Sequence, residues 1–378
     1  MKVYLDNAAS TKVDENIVDA ILPYFTDEYA NPSSVHTMGN YAEFAIERAK
    51  EKIAEKLNIL SEEIYFTSGA TESNNWAIIR AFELYQNKGK HIIVSKIEHD
   101  SILNVCRYLQ NERGAEITYI DVDEDGIVDI EQIKNSIRSD TIIVSIMYVN
   151  NEIGTIQPIE KIANILDEKQ IFFHVDAVQA INKFPVDITG LKVSTLAISG
   201  HKLHAPKGIG ILYINRNIKF KSFIHGGGQQ RNRRSGTENV TGIIGIGEAI
   251  YNYKEEISNR IRSNRDYFIS KLMEIDGVKL NGSIGNRVCN NINISIEGCD
   301  TEDIILGMDM KGVFISGGSA CESGAVEPSH VLKALGLKYT EIVSSVRITI
   351  SKYTTIDEID YAINALKEVV NNIRQVME

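Results

Sequence analysis

The chain has 378 residues and a formal net charge of −11 at pH 7, with 43% hydrophobic and 24% charged residues. This length is enough to bury a large core and predicts two domains. The acidic balance argues against direct binding to nucleic acid or to anionic membranes, and no run reaches the ~18 apolar residues of a membrane span. The N-terminus turns acidic at once and has no apolar leader, so we expect a cytoplasmic protein. The four cysteines lie far apart, which argues against a structural zinc site or a disulfide framework.

The N-terminal part predicts a short strand and two helices. Residues 3–5 form the strand, and Asp14 is placed to cap a first helix over about 15–26. A turn at 31–34 precedes a longer helix over about 38–58. One face of that helix is apolar and consists of Ala42, Ala45, Ile46, Ala49, Ile53, Ala54 and Leu57.

The middle of the chain alternates short apolar runs with helical patterns. The predicted strands are 64–66, 91–95, 117–120, 141–147, 171–175, 196–199 and 209–214. One predicted helix passes through 76–82, a second covers 100–109, a third begins near 130 and a fourth covers 159–166. This alternation predicts an α/β fold with a mostly parallel sheet and helices on both faces. Ligands should then bind at the carboxyl ends of the strands.

The composition changes at the glycine run 226–228, and the rest of the chain predicts a smaller α+β domain. A long helical pattern covers about 238–274. It is followed by a strand at 291–296, a helix at 300–308, a strand at 346–350 and a final helix from 356. A Gly/Ser-rich loop at 316–324 lies between the last two strands.

Two charged residues directly follow predicted strands. Lys202 lies on a turn after strand 196–199, where a lysine can form a Schiff base with a carbonyl cofactor such as pyridoxal phosphate (PLP). The alternative is an ordinary solvated loop lysine. Asp176 follows strand 171–175, where a carboxylate can keep a pyridinium nitrogen protonated. The alternative for Asp176 is a helix N-cap.

Two further signals fit the same cofactor. The turn Ser68-Gly69-Ala70-Thr71 joins a strand to a helix and would offer backbone N–H groups to a phosphate. The alternative is that these residues are a plain Ser/Thr helix cap. His99 follows strand 91–95 and could stack on a planar ring and move a proton, whereas a lone histidine of this kind is often structural.

The remaining signals concern a substrate. Asn150 could hydrogen-bond a carboxylate or a ring oxygen, or simply belong to an Asn-rich turn. Cys321 lies in the Gly/Ser-rich loop, where a thiol is exposed enough to attack a bound substrate, or is merely a small apolar side chain. Each signal is weak alone, but one reaction requires all of these residue types together.

With these residues in place, the sequence closely resembles the PLP-dependent cysteine desulfurases of the NifS/IscS class. The matching segments are Tyr4–Ala9, Asn31–His36, Phe66–Asn75, Glu98–His99, Val149–Gly154, His174–Gln179, Ser199–Lys202, Arg234–Asn239 and Gly318–Cys321. They extend from one end of the chain to the other. The resemblance implies a fold-type I PLP-dependent transferase whose large domain, 15–255, contains a mostly parallel seven-stranded sheet. A smaller α+β domain, 1–14 and 256–378, would carry a mobile cysteine loop, 316–324.

The resemblance also implies a role for each site residue. Lys202 would hold the cofactor aldehyde and later act as acid and base at Cα, Asp176 would pair with the pyridinium nitrogen, and Gln179 would bond the ring hydroxyl. His99 would stack on the ring, assist proton transfer and serve as a base for Cys321. The cofactor phosphate would be held by Ala70, Thr71, Ser199 and His201, with Thr237 reaching in from the other subunit of a homodimer. Asn150 would contact the cofactor and, with Arg347, the substrate carboxylate.

The implied reaction removes sulfur from L-cysteine and gives L-alanine. Cys321 would attack the substrate sulfur, become a persulfide, and pass the sulfur to an acceptor protein such as an iron–sulfur scaffold or a tRNA-thiolation enzyme. The resemblance implies no intrinsic metal site, with Cys321 as a transient iron–sulfur ligand. The long Gly/Ser-rich loop is similar to that of the group that delivers sulfur to scaffold proteins.

Two departures from the family pattern stand out. Glu322 places a negative charge beside the thiol, which disfavours the thiolate. Ser351-Lys352 replaces the Gly-Arg pair found in many relatives after the arginine that corresponds to Arg347. The sequence leaves open a selenocysteine lyase, an aminotransferase, or a catalytically silent paralogue that only binds sulfur acceptors.

Overall fold

The computed structural model of the protein describes residues 1–317 and 328–377. Its first elements are β1 (Val3–Tyr4), α1 (Glu15–Ile21), α2 (Pro23–Thr26) and α3 (Thr37–Leu57). The single helix predicted over 15–26 is wrong, because Pro23 lacks an N–H group and begins a new helix instead. The long apolar-faced helix is present as α3, and its residues Ala42, Ile46, Ala49, Ile53 and Leu57 are buried.

The predicted alternation of strands and helices follows α3. Its elements are β2 (Ile64–Thr67), α4 (Ala70–Tyr85), β3 (His91–Ser95), α5 (Asp100–Arg113), β4 (Glu116–Ile120), α6 (Ile130–Ser136), β5 (Thr141–Ser145), α7 (Ile159–Glu168), β6 (Phe172–Asp176), β7 (Thr195–Ser199) and β8 (Gly210–Ile214).

These strands form one seven-stranded sheet in the order β2-β8-β7-β6-β5-β3-β4. The pairs from β4 through β7 are parallel, whereas β8 runs antiparallel to both β2 and β7. The predicted α/β class with a mostly parallel seven-stranded sheet is therefore confirmed. Because only β8 is reversed, the carboxyl ends of the other strands lie at one edge of the sheet.

The C-terminal part contains a second sheet. Its elements are α8 (Gln229–Asn232), α9 (Val240–Tyr251), α10 (Glu255–Leu272), β9 (Val278–Leu280), β10 (Asn291–Ile296), α11 (Thr301–Met310), β11 (Val313–Phe314), α12 (His330–Ala334), α13 (Tyr339–Ile342), β12 (Ser345–Thr349) and α14 (Ile356–Met377). Strands β9, β10 and β12 form an antiparallel sheet with β10 in the middle. The short strand β1 pairs in parallel with β11.

The long helix predicted over 238–274 is also wrong, because the chain is extended at Lys254 and two helices result. The two halves pack into different cores. In α9 the buried residues include Ile243 and Ile246, which join the core against the seven-stranded sheet. In α10 the buried residues include Phe268 and Leu272, which join the core of the second sheet. A continuous 3.6-residue period cannot reveal this change of packing partner.

The seven-stranded sheet is covered by helices on both faces. On one face Ile53 of α3 and Ile162 of α7 are fully buried, and on the other Trp76 and Phe82 of α4 are. Burying each large apolar side chain contributes about 1.5–3 kcal/mol, so both layers hold the sheet firmly. None of the helices within the described ranges is long and apolar enough to cross a membrane.

Candidate active site

The predicted functional side chains gather at the common carboxyl edge of the large sheet. The turn after β2 leads to Thr71, the loop after β3 to His99, and β6 ends at Asp176 itself. The turn after β7 carries Lys202. The sheet thus brings together residues that are far apart in the chain, through the parallel pairs from β3 to β7 and the antiparallel pairs that β8 makes with β2 and β7.

The amine of Lys202 is partly buried and is held by the start of the chain. Its Nζ donates to the carbonyl oxygens of Ala8 at 2.5 Å and Ala9 at 2.7 Å. Burial, followed by the positive charge of Arg347, lowers the pKa of Lys202 to about 8. The unprotonated amine is the nucleophile that attacks an aldehyde, so this environment activates Lys202 for Schiff-base formation.

Asp176 lies in a buried hydrogen-bond network at the end of β6. One carboxylate oxygen accepts from Asn74 Nδ2 at 2.8 Å, and the other accepts from the Val178 N–H at 3.0 Å. The amide oxygen of Asn74 lies 3.0 Å from Nε2 of His174. Burial lowers the pKa of His174 to about 3, so this histidine is neutral and cannot neutralise the Asp176 charge.

The turn before α4 has the features of an anion site. Helix geometry leaves the first-turn N–H groups, including those of Ala70 and Thr71, without helical acceptors. Gly210 of β8 packs directly under this turn, and an added Cβ there would lie 2.7 Å from the backbone of Gly69. Glycine at 210 therefore lets the turn approach the strand.

His99 caps α5 and faces a cavity. Its Nδ1 accepts from the Ser101 N–H at 3.1 Å and lies 2.9 Å from the Ser101 hydroxyl. The cavity has a volume of about 380 Å³, and its lining includes His99, Ser101 and Thr71. The rest of the lining comes from α4 and α5 and includes neither Asp176 nor Lys202, so this cavity lies beside the groups that would hold a ring and not between them.

The side-chain amide of Asn150 is already hydrogen-bonded to the protein backbone. The side chain is fully buried, its oxygen accepts from the Glu152 and Ile153 N–H groups, and its nitrogen donates to the Ile97 carbonyl at 3.0 Å. These bonds correspond to the Asn-rich turn that the sequence left open as the alternative. Direct contact with a cofactor or substrate would require Asn150 to exchange them.

Arg347 of β12 reaches the same region from the second sheet. Its guanidinium donates to Asp6 Oδ1 at 2.9 Å, to Ser316 Oγ at 2.9 Å and to the Asn151 carbonyl at 3.1 Å. Within the part of the chain that the structure describes, its buried Nε has no hydrogen-bond partner. An arginine with an unsatisfied N–H group suits a carboxylate ligand.

The other predicted residues differ in how the structure places them. Gln179 and Ser199 are buried beside the site, and Gln179 donates to the Ala8 carbonyl at 3.1 Å. Burial, followed by the charges of two nearby lysines, lowers the pKa of His201 to about 4. Thr237 is exposed in the single chain. Cys321 lies outside the described residues.

The comparisons with known proteins agree over the whole chain. A family model described as aminotransferase class-V matches residues 3–362. The chain belongs to the class-V aminotransferases. A cysteine desulfurase IscS from Methanosarcina thermophila is 44% identical over 99% of this chain and 93% of its own, and one from Dictyoglomus turgidum is 45% identical over 99% and 96%. A solved structure of a NifS-like protein superposes with a TM-score of 0.93 at 35% identity, covering 98% of this chain and 100% of that one.

Within the class-V aminotransferases, this chain therefore belongs to the cysteine desulfurases. The predicted family, the fold-type I architecture and the dependence on PLP are confirmed. The roles given to individual residues and the domain boundaries stay predictions.

The described residues of this class-V site fit PLP. Lys202 provides a nucleophilic amine, Asp176 provides a buried acceptor-only carboxylate, and the α4 turn provides N–H donors for a phosphate. All three lie at the same edge of the sheet. No further protein group is needed to account for an aldehyde, a ring nitrogen and a phosphate.

Sequence reasoning missed several residues that shape this class-V site. Asn74 and Ser101 connect Asp176 to His99, and Asp6 binds Arg347. Asn74 could have been found, because a buried asparagine inside a helix needs polar partners. The carbonyls of Ala8 and Ala9 carry no sequence signal at all.

Proposed function

We propose that this protein removes the sulfur of L-cysteine, releases L-alanine, and carries the sulfur as a persulfide on Cys321. The observation that supports this most is that Arg347 lies close enough to Lys202 for its charge to lower the pKa of the lysine. An amine with a pKa of about 8 lies in the field of an arginine whose Nε lacks a partner among the described residues. Lys202 suits Schiff-base formation with the aldehyde of a cofactor. Arg347 suits the carboxylate of an amino-acid substrate.

The site residues divide the work of holding PLP. Lys202 bonds the aldehyde carbon, Asp176 accepts from the pyridinium N–H, and Gln179 reaches the ring hydroxyl. The phosphate is bound by Ala70, Thr71, Ser199 and His201, and Asn150 braces the loop beneath the ring. When bound, the cofactor supplies an electron sink that stabilises negative charge at Cα of the substrate.

The protein itself then moves protons and binds the substrate ends. Lys202, once its amine is released, accepts the Cα proton at Nζ, which its lowered pKa permits near neutral pH. Arg347 holds the substrate carboxylate through Nε. Asp6 keeps the guanidinium in place by accepting from Nη2.

Cys321 performs the sulfur transfer. Its thiolate forms a bond to the substrate sulfur while the substrate C–S bond breaks, and the carbon that loses sulfur gains a proton to become the alanine methyl group. The acceptor is a protein such as an iron–sulfur scaffold or a tRNA-thiolation enzyme. Cytoplasmic location belongs to the same proposal, because Cys106, Cys289 and Cys299 are free thiols, as is usual in reducing compartments.

A homodimer is also part of the proposal. Apolar side chains on α1 to α3 and their loops are exposed, with Val35 at 96%, Tyr29 at 68% and Phe44 at 66%. Several large apolar side chains exposed in one part of the chain are typical of an interface. In the proposed dimer Thr237, exposed in the single chain, contacts the phosphate of the partner's cofactor.

The test is an absorbance scan of the purified protein with and without L-cysteine, with alanine and sulfide measured in parallel. With a thiol reductant present to release the persulfide sulfur as sulfide, the wild type should show a cofactor band that shifts with cysteine, and alanine should equal the sulfide released. Cys321→Ser should keep the band and lose sulfur release, whereas Cys299→Ser, at a buried thiol away from the site, should keep both.

The same assay separates the alternatives. Turnover of selenocysteine by Cys321→Ser would point to a selenocysteine lyase, and a band without sulfur release from the wild type would point to another amino-acid substrate. Absence of a band in the wild type, with Lys202→Ala indistinguishable from it, would contradict the proposal and leave a silent sulfur-acceptor-binding protein.

A further inference from the structure

A chain of buried side chains links the acid of the candidate site to its histidine. Asn74 of α4 lies at its centre, and its amide nitrogen is 2.8 Å from Asp176 Oδ2 and 2.8 Å from Ser101 Oγ. The Ser101 hydroxyl continues to Nδ1 of His99 at 2.9 Å. None of these contacts depends on a ligand.

The direction of each hydrogen bond follows from Asp176. A carboxylate only accepts, so the Asn74 group facing it must be the NH₂ group. That NH₂ group has a second hydrogen, which it gives to the Ser101 oxygen. The Ser101 hydroxyl therefore has its own hydrogen left for His99, and donates it to Nδ1.

Two independent contacts agree with this direction. The backbone N–H of Ser101 also points at His99 Nδ1, at 3.1 Å, and an N–H group can only donate. On the other side of Asn74, the amide oxygen takes a hydrogen from His174 Nε2, whose Nδ1 in turn accepts from the Thr195 hydroxyl at 2.8 Å. Neutral His174 in this tautomer satisfies both of its neighbours.

We propose that Asn74 and Ser101 are positioning residues that hold neutral His99 with its proton on Nε2. Nδ1 receives two donors and is therefore unprotonated. Nε2 has no hydrogen-bond partner among the described residues and carries the proton. His99 then presents an N–H donor at Nε2, and that nitrogen cannot accept a proton.

The consequence for Cys321 rests on the proposed function, whereas the tautomer itself does not. Because Nε2 already carries a proton, the acceptor of the Cys321 thiol proton is a group other than Nε2 of His99.

The tautomer is measured directly by ¹⁵N NMR of the full chain labelled at histidine, with PLP bound and after its removal. His99→Gln identifies the signals. We expect a pyridine-type Nδ1 and a pyrrole-type Nε2 in both forms. A pyrrole-type Nδ1 overturns the proposal.

Variants test the hydrogen-bond chain from Asn74 through Ser101 to His99, which we call the relay. Ser101→Ala removes the hydroxyl but keeps the backbone donor, so the Nδ1 signal should move toward that of an unbonded pyridine-type nitrogen. Ser101→Thr keeps the hydroxyl and should restore the wild-type shift. Ser73→Ala is the matched control, because that buried hydroxyl, one residue before Asn74, bonds Thr67, Gly69 and Ile211 and, among the described residues, neither His99 nor Asp176.

The activity of the loaded enzyme gives a second readout. Loss of one hydrogen bond to the histidine should lower kcat/KM about five- to tenfold in Ser101→Ala and leave Ser73→Ala unchanged. Identical Nδ1 shifts in the wild type and Ser101→Ala would overturn the relay. A wild-type protein that shows the expected tautomer but releases no sulfur would count against the proposed function alone.

Discussion

The lowered pKa of Lys202 makes a quantitative prediction about cofactor capture. An ordinary lysine has a pKa of 10.5, whereas burial and the Arg347 charge bring that of Lys202 to about 8. Only the unprotonated amine attacks an aldehyde. At neutral pH this difference raises the reactive fraction by a factor of ~300, from ~0.03% to ~9%. The rate of PLP capture should therefore rise with pH and level off above about 8.

The assay follows the appearance of the cofactor absorbance band after cofactor-free protein is mixed with PLP at a series of pH values. The same measurement on a free lysine derivative removes the contribution of PLP's own ionisation. Lys202→Ala should give no band. A midpoint near the ordinary lysine value would refute the reasoning, because it would mean that the folded site leaves the amine as basic as in water.

Two charge variants test the cause of the shift as well as its size. Arg347 lowers the pKa of Lys202 and Asp6 raises it. Arg347→Gln should therefore move the midpoint of capture to higher pH, and Asp6→Asn should move it to lower pH. Movement of both midpoints in the same direction would show that the variants disturb the fold of the site and not its electrostatics.

Three further predictions concern the phosphate turn, the substrate carboxylate and a buried acid. Gly210→Ala places a Cβ 2.7 Å from the backbone at the start of α4 and should weaken PLP affinity about tenfold or more in an equilibrium titration, whereas Gly285→Ala, with nothing within 4 Å, should not. Arg347→Gln should raise KM for L-cysteine about 10- to 100-fold while the cofactor band persists, and an unchanged KM would contradict its role. Burial raises the pKa of Glu98 from 4.5 to about 8, so the folded protein keeps a proton that the unfolded chain releases, and stability is lost as pH rises between these values. Glu98→Gln removes this loss, and its gain in unfolding free energy over the wild type should be ~3 kcal/mol larger at pH ~8 than at pH ~5 in denaturant titrations.

The sequence predicted the large sheet well because its signals are local. Apolar runs bounded by turns mark β3, β5 and β6, and parallel pairing then places the residues after them at one edge. That reasoning was sufficient to bring His99, Asp176 and Lys202 together. It failed where packing decides the outcome, as at Lys254, where the helical pattern continues but the core that it packs against changes.

The sequence also could not show which hydrogen-bond partners a polar side chain has. Asn150 reads in sequence as a ligand-binding residue or as a turn residue, and only the positions of the Glu152, Ile153 and Ile97 backbone groups show that its amide is occupied. Asn74 is a different case, because a buried asparagine inside a helix indicates that polar partners exist but its local sequence does not say which they are. Its contacts lie 27 and 102 residues away, and periodicity carries no information on such distances.

The N-terminal segment shows how far the chemistry depends on long-range assembly. β1 pairs with β11, and the Asn7 side chain donates to the Thr349 carbonyl of β12 at 2.7 Å, so the segment is attached to the C-terminal part of the chain. The same segment offers the Ala8 and Ala9 carbonyls to Lys202 of the first sheet and the Asp6 carboxylate to Arg347 of the second. Burial lowers the pKa of Lys202 most, and this segment also brings Asp6 near Lys202, where its charge opposes that of Arg347. A lysine at the same turn without that segment would be an ordinary solvated amine, which is why Lys202 alone was a weak signal in the sequence.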